Sequence, residues 1–214
     1  KHGKITPISE DTSATPLRDC KHGVVLKDIE DSLEAATFQK KCRVRIVRHS
    51  YPWGKAVGES MVEKNLRGIP KNATLSWWQK RQKFEWIATT QCPIQLSYTP
   101  DLADFIIRYA QWSPATWFDT INFAGTTFES MDEFGKAICA YIGEEYESDA
   151  HTRMWLELAA NTIEPEAARG LDVYYTFETA LLLNPAKMEK TFPSFKHTDL
   201  DTAIADTIQW YQQH

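Results

Sequence analysis

The sequence predicts an α/β fold. Three observations carry that reading. Arg43-Val44-Arg45-Ile46-Val47-Arg48 alternates charged and apolar residues and is rich in β-branched ones, the signature of a strand. Residues 22–39 and Leu200 to Tyr211 place apolar side chains at three- and four-residue spacing, the signature of helices. Shorter strand-like runs lie between further helical stretches, so helices and strands alternate along the chain.

Taken in order, residues 1–20 hold Thr, Ser, Pro and Asp with little apolar periodicity and read as a loop. In 22–39 the apolar stripe is Val25, Ile29, Leu33 and Ala36, joined by Val24 and Leu26, with a charged outer face. After the strand at 43–48, Gly54 and Gly58 bracket a short loop. A helix is expected from Glu59 to Leu66, ended by Gly68 and Pro70. Ile94 to Thr99 reads as a short strand, and Pro100 then opens a helix through about Tyr109, since proline is preorganised for a first helical turn. Phe118 to Phe123 is another strand. Thr127 or Ser130 caps a helix that ends near Ile142-Gly143. Residues 147–160 predict an amphipathic helix, and Ala180-Leu181-Leu182-Leu183 a core segment. The final helix carries Leu200, Ile204, Ile208 and Tyr211 on one stripe.

The chain has 214 residues, of which 43% are hydrophobic and 25% charged, a composition that can bury a core and argues against disorder. The net charge of −5 disfavours a basic footprint for nucleic acid or for a membrane surface, and no apolar run approaches a membrane span. No targeting segment is read at the front, so the expected compartment is the cytoplasm. Cys20, Cys42, Cys92 and Cys139 are far apart, with no CxxC, and are expected to be reduced and mostly buried. The histidines are scattered without helix-face pairing, so no metal site is expected. The sequon Asn72-Ala73-Thr74 reads as chance without a signal peptide, and Glu144, Glu145 and Glu147 as a solvated acidic turn.

No glycine-rich phosphate loop is present. Gly54-x-x-x-Gly58 follows a strand but has the wrong spacing and reads as a structural turn. Residues 74–90 interleave Trp77, Trp78, Phe84 and Trp86 with Lys80, Arg81 and Lys83. Two readings stand for this cluster. Its indoles stack on a base or sugar while the cations hold phosphate, or they pack into a core behind solvated charges.

The order of several short motifs resembles the extended short-chain dehydrogenase/reductases, most closely their NAD-dependent sugar-nucleotide epimerases, dehydratases and dTDP-sugar reductases. Ile5-Thr6-Pro7-Ile8-Ser9-Glu10-Asp11, Pro16, and then His22-Gly23 with Glu30 follow the family's loop and catalytic helix. Arg48-His49-Ser50-Tyr51-Pro52-Trp53-Gly54 is similar to its "R-P-S-x-x-Y-G" strand end, and Asp101-Leu102-Ala103 to the "D-L-A" that opens its next helix. Asn122-Phe123-Ala124-Gly125, Asn184-Pro185-Ala186-Lys187 with Phe192-Pro193-Ser194-Phe195, and Ile204 to Tyr211 follow in the family's order.

The resemblance implies the C-terminal part of an extended Rossmann-type fold with its substrate-binding lobe. Residues 1–54 would be the end of the Rossmann-like part, with the active-site helix and the following strand. Residues 55–214 would be the substrate lobe with interleaved returning elements. The Rossmann units with the dinucleotide loop lie outside these residues. The implied function is an NAD(P)-dependent nucleotide-sugar epimerase, dehydratase or reductase. The alternative is a non-catalytic relative that binds a nucleotide sugar or a protein.

In the family a Tyr exchanges a proton with substrate, and a Lys four residues on lowers its pKa and holds the nicotinamide ribose. Aligned on Gly23 and Glu30, the Tyr position is His22 and the Lys position is Leu26, with Lys27 about 100° further round the helix. His22 and Lys27 are therefore the catalytic candidates. Substrate contacts are expected from His49, Ser50, Tyr51 and Trp53 at the strand end, from Trp77, Trp78, Lys80 and Arg81, and from Tyr98, with the pocket between 48–54 and 74–98. NAD or NADP is implied for an intact family fold but not for this chain alone. The implied partners are a nucleotide sugar and a second copy packed through the helix at 22–39.

Overall fold

Two parallel strand pairs, joined through a single residue, organise the molecule. The structure, a computed structural model, describes residues 5–12, 21–40, 42–55, 84–87, 92–113, 115–143, 145–151 and 180–213. Its elements in chain order are α1 (Lys21–Phe38), β1 (Val44–His49), β2 (Tyr51–Trp53), β3 (Phe84–Ile87), β4 (Ile94–Tyr98), α2 (Thr99–Gln111), β5 (Phe118–Phe123), β6 (Thr126–Phe128), α3 (Met131–Ile142), β7 (Ser148–His151), α4 (Ala186–Thr191) and α5 (Leu200–Gln213). This is the expected α/β alternation.

β1 pairs in parallel with β5, in register from Val44 with Phe118 to His49 with Phe123. A parallel pair requires a long crossover, and the intervening β2, β4 and α2 lie within it. β2 pairs in parallel with β4, and β4 pairs antiparallel with β6. All five residues of β4 are buried, as suits the centre of a three-stranded sheet. β3 and β7 form a separate parallel pair.

Among the described residues, two apolar clusters form the core. Trp53, Leu96, Tyr98, Phe128, Phe134, Ile138, Ile204 and Ile208 join the β4 sheet to α3 and α5. Leu102, Phe105 and Tyr109 of α2 pack with Ile121 and Phe123 of β5 and with Met188 of α4. Glycine is required at two positions. Gly54 holds φ +113°, where a Cβ would stand 2.8 Å from the Tyr98 ring. At Gly125 a Cβ would lie 2.0 Å from the Leu96 carbonyl oxygen, inside the contact between the β5–β6 turn and β4.

Ser130, not Thr127, caps α3, its hydroxyl accepting from the Glu133 N–H at 3.2 Å; Thr127 belongs to β6. Gly143 ends that helix in the left-handed conformation at φ +75°. Pro100 lies in the first turn of α2 as expected.

Three expectations are corrected. Residues 148–151 form β7, whereas a helix was expected over 147–160. Ser148 Oγ and the Tyr146 hydroxyl both bond Asp132 Oδ1, at 3.2 and 2.6 Å, which anchors the segment beside α3 where it pairs with β3. Residues 152–160 lie outside the described residues. Leu181 is 48% exposed, because its segment runs extended beside Ile8 and is not buried in the core. The cysteines agree with the expectation of free, mostly buried thiols: Cys92 and Cys139 are buried, Cys42 is exposed, and Cys20 lies outside the described residues. The apolar stripe of α1 is largely exposed. The helix expected at 59–66 also falls outside the described residues. Among the described residues no helix is long and apolar enough to cross a membrane.

Candidate functional site

Ser50 is the one residue between β1 and β2, and there the chain leaves one sheet for the other. Its N–H donates to the Phe123 carbonyl at 3.2 Å, holding it to β5. Its hydroxyl lies 2.6 Å from Ser97 Oγ on β4 and accepts from the Gly125 N–H at 3.0 Å. Ser50 thus ties the two sheets together, and its neighbours His49 and Tyr51 are fixed at the seam.

A cavity of about 200 Å3 opens beside this seam, lined by Ile8, His49, Ser50, Tyr51, Pro93, Ile94, Gln95, Leu181 and Leu183. Backbone bonds hold its far wall: Ile8 N–H to the Leu182 carbonyl at 2.7 Å, and Asn184 N–H to the Ile8 carbonyl at 2.8 Å. Gln95 grips Leu183 from β4, its Nε2 donating to the carbonyl at 3.1 Å and its Oε1 accepting the N–H at 2.7 Å. Asn122 of β5 supports the same wall, Nδ2 donating to the Ile8 carbonyl at 2.8 Å while its backbone N–H donates to Glu10 Oε1 at 2.9 Å.

Behind the seam, Arg48 connects three segments. It is ion-paired with Glu30 of α1, and its guanidinium donates to the backbone carbonyl of Glu10 at 3.2 Å. The network therefore fixes α1 and the 5–12 segment against β1, with both ends of the ion pair half-buried.

Of the expected site residues, the structure brings His49, Ser50 and Tyr51 together on the cavity with Pro93–Gln95 of the expected opposite wall. Trp53 and Tyr98 are placed elsewhere, in the apolar core, with ring centroids 5.3 Å apart. The Tyr98 hydroxyl donates to Asp206 of α5, which also holds Lys55 at 2.5 Å. Burial, reinforced by the Asp206 bond, pushes the Tyr98 phenol far above its ordinary value and keeps it protonated. For Asp206, burial raises the carboxyl, but the bonds from Lys55 and Tyr98 outweigh it and hold the group below its usual range. Tyr98 is thus an anchor for the C-terminal helix. Trp77, Trp78, Lys80 and Arg81 lie outside the described residues.

His22 stands in the first turn of α1. Leu26 is 53% exposed, and the Lys27 ammonium is paired with Asp31 one turn on. Among the described residues, α1 does not fit a dinucleotide. The helix position that would hold a nicotinamide ribose carries an apolar side chain, and the adjacent cation already has a carboxylate partner.

Sequence reasoning missed Gln95, Leu181 and Leu183. Gln95 is itself buried and polar in the fully buried β4, and its partner lies 88 residues away.

No protein-family model and no curated protein sequence matches the chain. Solved structures do match. A UDP-glucuronic acid 4-epimerase from Bacillus cereus, in complex with UDP-glucuronic acid and NAD, is similar over 99% of this chain and 58% of its own, at a TM-score of 0.71 and 11% identity. A dTDP-glucose 4,6-dehydratase from Bacillus anthracis in complex with NAD is similar over 99% and 57%, at 0.69 and 13%. A UDP-glucose 4-epimerase from Thermotoga maritima with UDP-glucose is similar over 99% and 59%, at 0.65 and 13%. The chain therefore spans just over half the length of these structures and shares their fold over that span.

Proposed function

We propose that this chain is the substrate-binding part of a nucleotide-sugar epimerase-, dehydratase- or reductase-like protein, and that it holds a nucleotide sugar without the family's hydride chemistry. The observation that carries the second half of this reading is at α1. Leu26 stands exposed where the family has its Lys, and Lys27 is paired with Asp31. No ammonium on that face serves either a phenolate or a ribose. The sugar end is assigned to the cavity at His49, Ser50 and Tyr51. The nucleotide end is assigned to Trp77, Trp78, Lys80 and Arg81, whose indoles stack on a base and whose cations neutralise a diphosphate.

NAD(P)-dependent catalysis with His22 as the proton-transfer group and Lys27 beside it is the second reading. It is favoured by the Arg48–Glu30 ion pair, which keeps α1 docked on β1 next to the cavity. A homodimer through α1 belongs to either reading, since Val25, Leu26, Ile29 and Leu33 leave an apolar face exposed.

Calorimetric titration with UDP-glucose, UDP-glucuronic acid, GDP-mannose and dTDP-glucose tests the proposal. Saturable binding to the wild type is expected, weakened about tenfold or more in a Trp77→Ala, Arg81→Ala double variant. Absence of binding, or binding unchanged in the variant, refutes it. NADH and NADPH are expected not to bind in the micromolar range. NADH formation from NAD and a nucleotide sugar would establish the second reading instead.

A further inference from the structure

The two edges of the β1–β5 pair are finished differently. Val44 N–H donates to the Trp117 carbonyl and Ser50 N–H to that of Phe123, so the even-numbered residues from 44 to 50 turn their backbone groups toward β5. On β5 the even-numbered residues then face away, and side chains cap that edge. Lys187 Nζ donates to the Thr120 carbonyl, and Glu10 Oε1 accepts from the Asn122 N–H. On β1 it is Arg45, Val47 and His49 that face away. Their N–H and C=O groups have no partner among the described residues. An open strand edge of this kind is a template for a further strand.

The helix above this edge overhangs it. Glu30 of α1 reaches Arg48 on the even-numbered face of the pair, while Phe105 and Tyr109 of α2 pack with Val47, Ile121 and Phe123 on the odd-numbered face. Leu26 and Leu33 stand one turn either side of Glu30, on the side of α1 turned to the sheet. They are nevertheless 53% and 38% exposed. At the start of β1 stands Arg43, itself exposed. Its contacts are Ser113 Oγ at 3.5 Å and the Trp117 ring at 5.5 Å, with no carboxylate among the described residues. We propose that the outer edge of β1 binds an extended strand of a partner polypeptide, parallel to β1, with apolar β-branched side chains beneath Leu26 and Leu33 and a carboxylate at its start beside Arg43. The free backbone groups at Arg45, Val47 and His49 supply its hydrogen bonds, and a parallel strand continues the parallel pair that it joins. The inference requires neither the cavity nor a nucleotide sugar.

The probe is the peptide Glu-Val-Thr-Val-Thr-Val-Thr, acetylated and amidated, titrated calorimetrically into the 214-residue chain, with amide hydrogen exchange read at single residues. Set beside Arg43 onward, its valines fall on the α1 side and turn their N–H groups to β1. Saturable binding is expected. Exchange at the Arg45, Val47 and His49 amides should slow about tenfold or more, while Ile46 and Arg48, already bonded to β5, should not change. Methylating the valine nitrogens removes the donors and should weaken binding about tenfold. The reversed sequence Thr-Val-Thr-Val-Thr-Val-Glu should bind more weakly than the probe. Leu26→Glu with Leu33→Glu should abolish binding and leave the circular dichroism spectrum unchanged. No saturable binding, binding without protection of those three amides, equal binding of the methylated peptide, or tighter binding of the reversed one overturns the proposal, and none of these depends on a variant. Binding retained in the double glutamate variant overturns it too. Protection of the same three amides in the free chain would mean that this chain or a second copy already covers the edge, and that result also overturns the proposal.

Discussion

The side chain of Gln95 bonds both the N–H and the C=O of Leu183, at 2.7 and 3.1 Å, as a neighbouring strand would. The extended 180–183 segment is thereby held against β4 although it pairs with Ile8 only by an isolated bridge. Gln95→Ala leaves both backbone groups of Leu183 without these partners at a half-buried position. The expected cost is about 2 kcal/mol in urea unfolding. Gln95→Glu should cost at least as much, because a carboxylate has no proton for the Leu183 carbonyl. Unchanged stability in Gln95→Ala would show that water replaces the clamp.

Ser50 and Ser97 form the only side-chain bond among the described residues between the β1–β2 junction and β4, and both are buried. Ser50→Ala also takes the acceptor from the Gly125 N–H. About 2 kcal/mol is expected for Ser50→Ala and about 1 kcal/mol for Ser97→Ala. The double variant should lose less than the sum by about 1 kcal/mol, because the shared bond is removed only once. Additive losses would mean that the two hydroxyls do not interact.

These contacts mark where the sequence stops being legible. β1, β4, β5, α2, α3 and α5 could be read because each has its own local cause: β-branched alternation, a proline in a first turn, a serine cap, a 3.6-residue stripe. β7 could not, since Ser148-Asp149-Ala150-His151 carries no strand pattern and becomes one by pairing with residues more than sixty positions earlier. His49, Ser50 and Tyr51 were singled out through motif order, and the three line one cavity. Gln95 and the 181–183 wall were not, because a long-range clamp leaves no spacing signal. Trp53 and Tyr98 look like binding aromatics in sequence, and only packing shows that they face α3 and α5.

Asp206 makes the anchorage of α5 sensitive to acid. Its carboxyl lies below the ordinary value of 3.8 in the folded chain, with the hydrogen bonds from Lys55 and Tyr98 outweighing burial. A carboxyl with a lowered folded pKa contributes stability that is fully present above its ordinary value and is lost as pH falls through the folded one. Wild type and Asp206→Asn should therefore differ in stability at neutral pH and converge as pH falls below the ordinary carboxyl value of 3.8. Denaturant unfolding across that window is the measurement, and a difference independent of pH would contradict it. Tyr98 supplies an alkaline counterpart. Its buried phenol should stay protonated in ultraviolet titration where exposed tyrosines ionise, and Asp206→Asn should bring its titration down.

The exposed face of α1 sets the last expectation. Val25 is 54% exposed and Ile29 50%, and with Leu26 and Leu33 they form a stripe at three- and four-residue spacing. Around them the same helix is charged, with Lys27, Asp28, Asp31 and Glu34 flanking the stripe. An exposed apolar band of this kind suits a self-complementary contact, in which the stripe of one copy lies antiparallel on that of another. Each buried aliphatic side chain would contribute about 1.5–3 kcal/mol, so four from each copy outweigh the entropy of association only if they are buried together. Light scattering at tens of micromolar should then report a dimer. Ile29→Glu with Leu33→Glu should give a monomer with an unchanged circular dichroism spectrum, because neither side chain is part of a core cluster. Monomer in the wild type would remove the contact. A dimer that survives both glutamates would place the interface elsewhere.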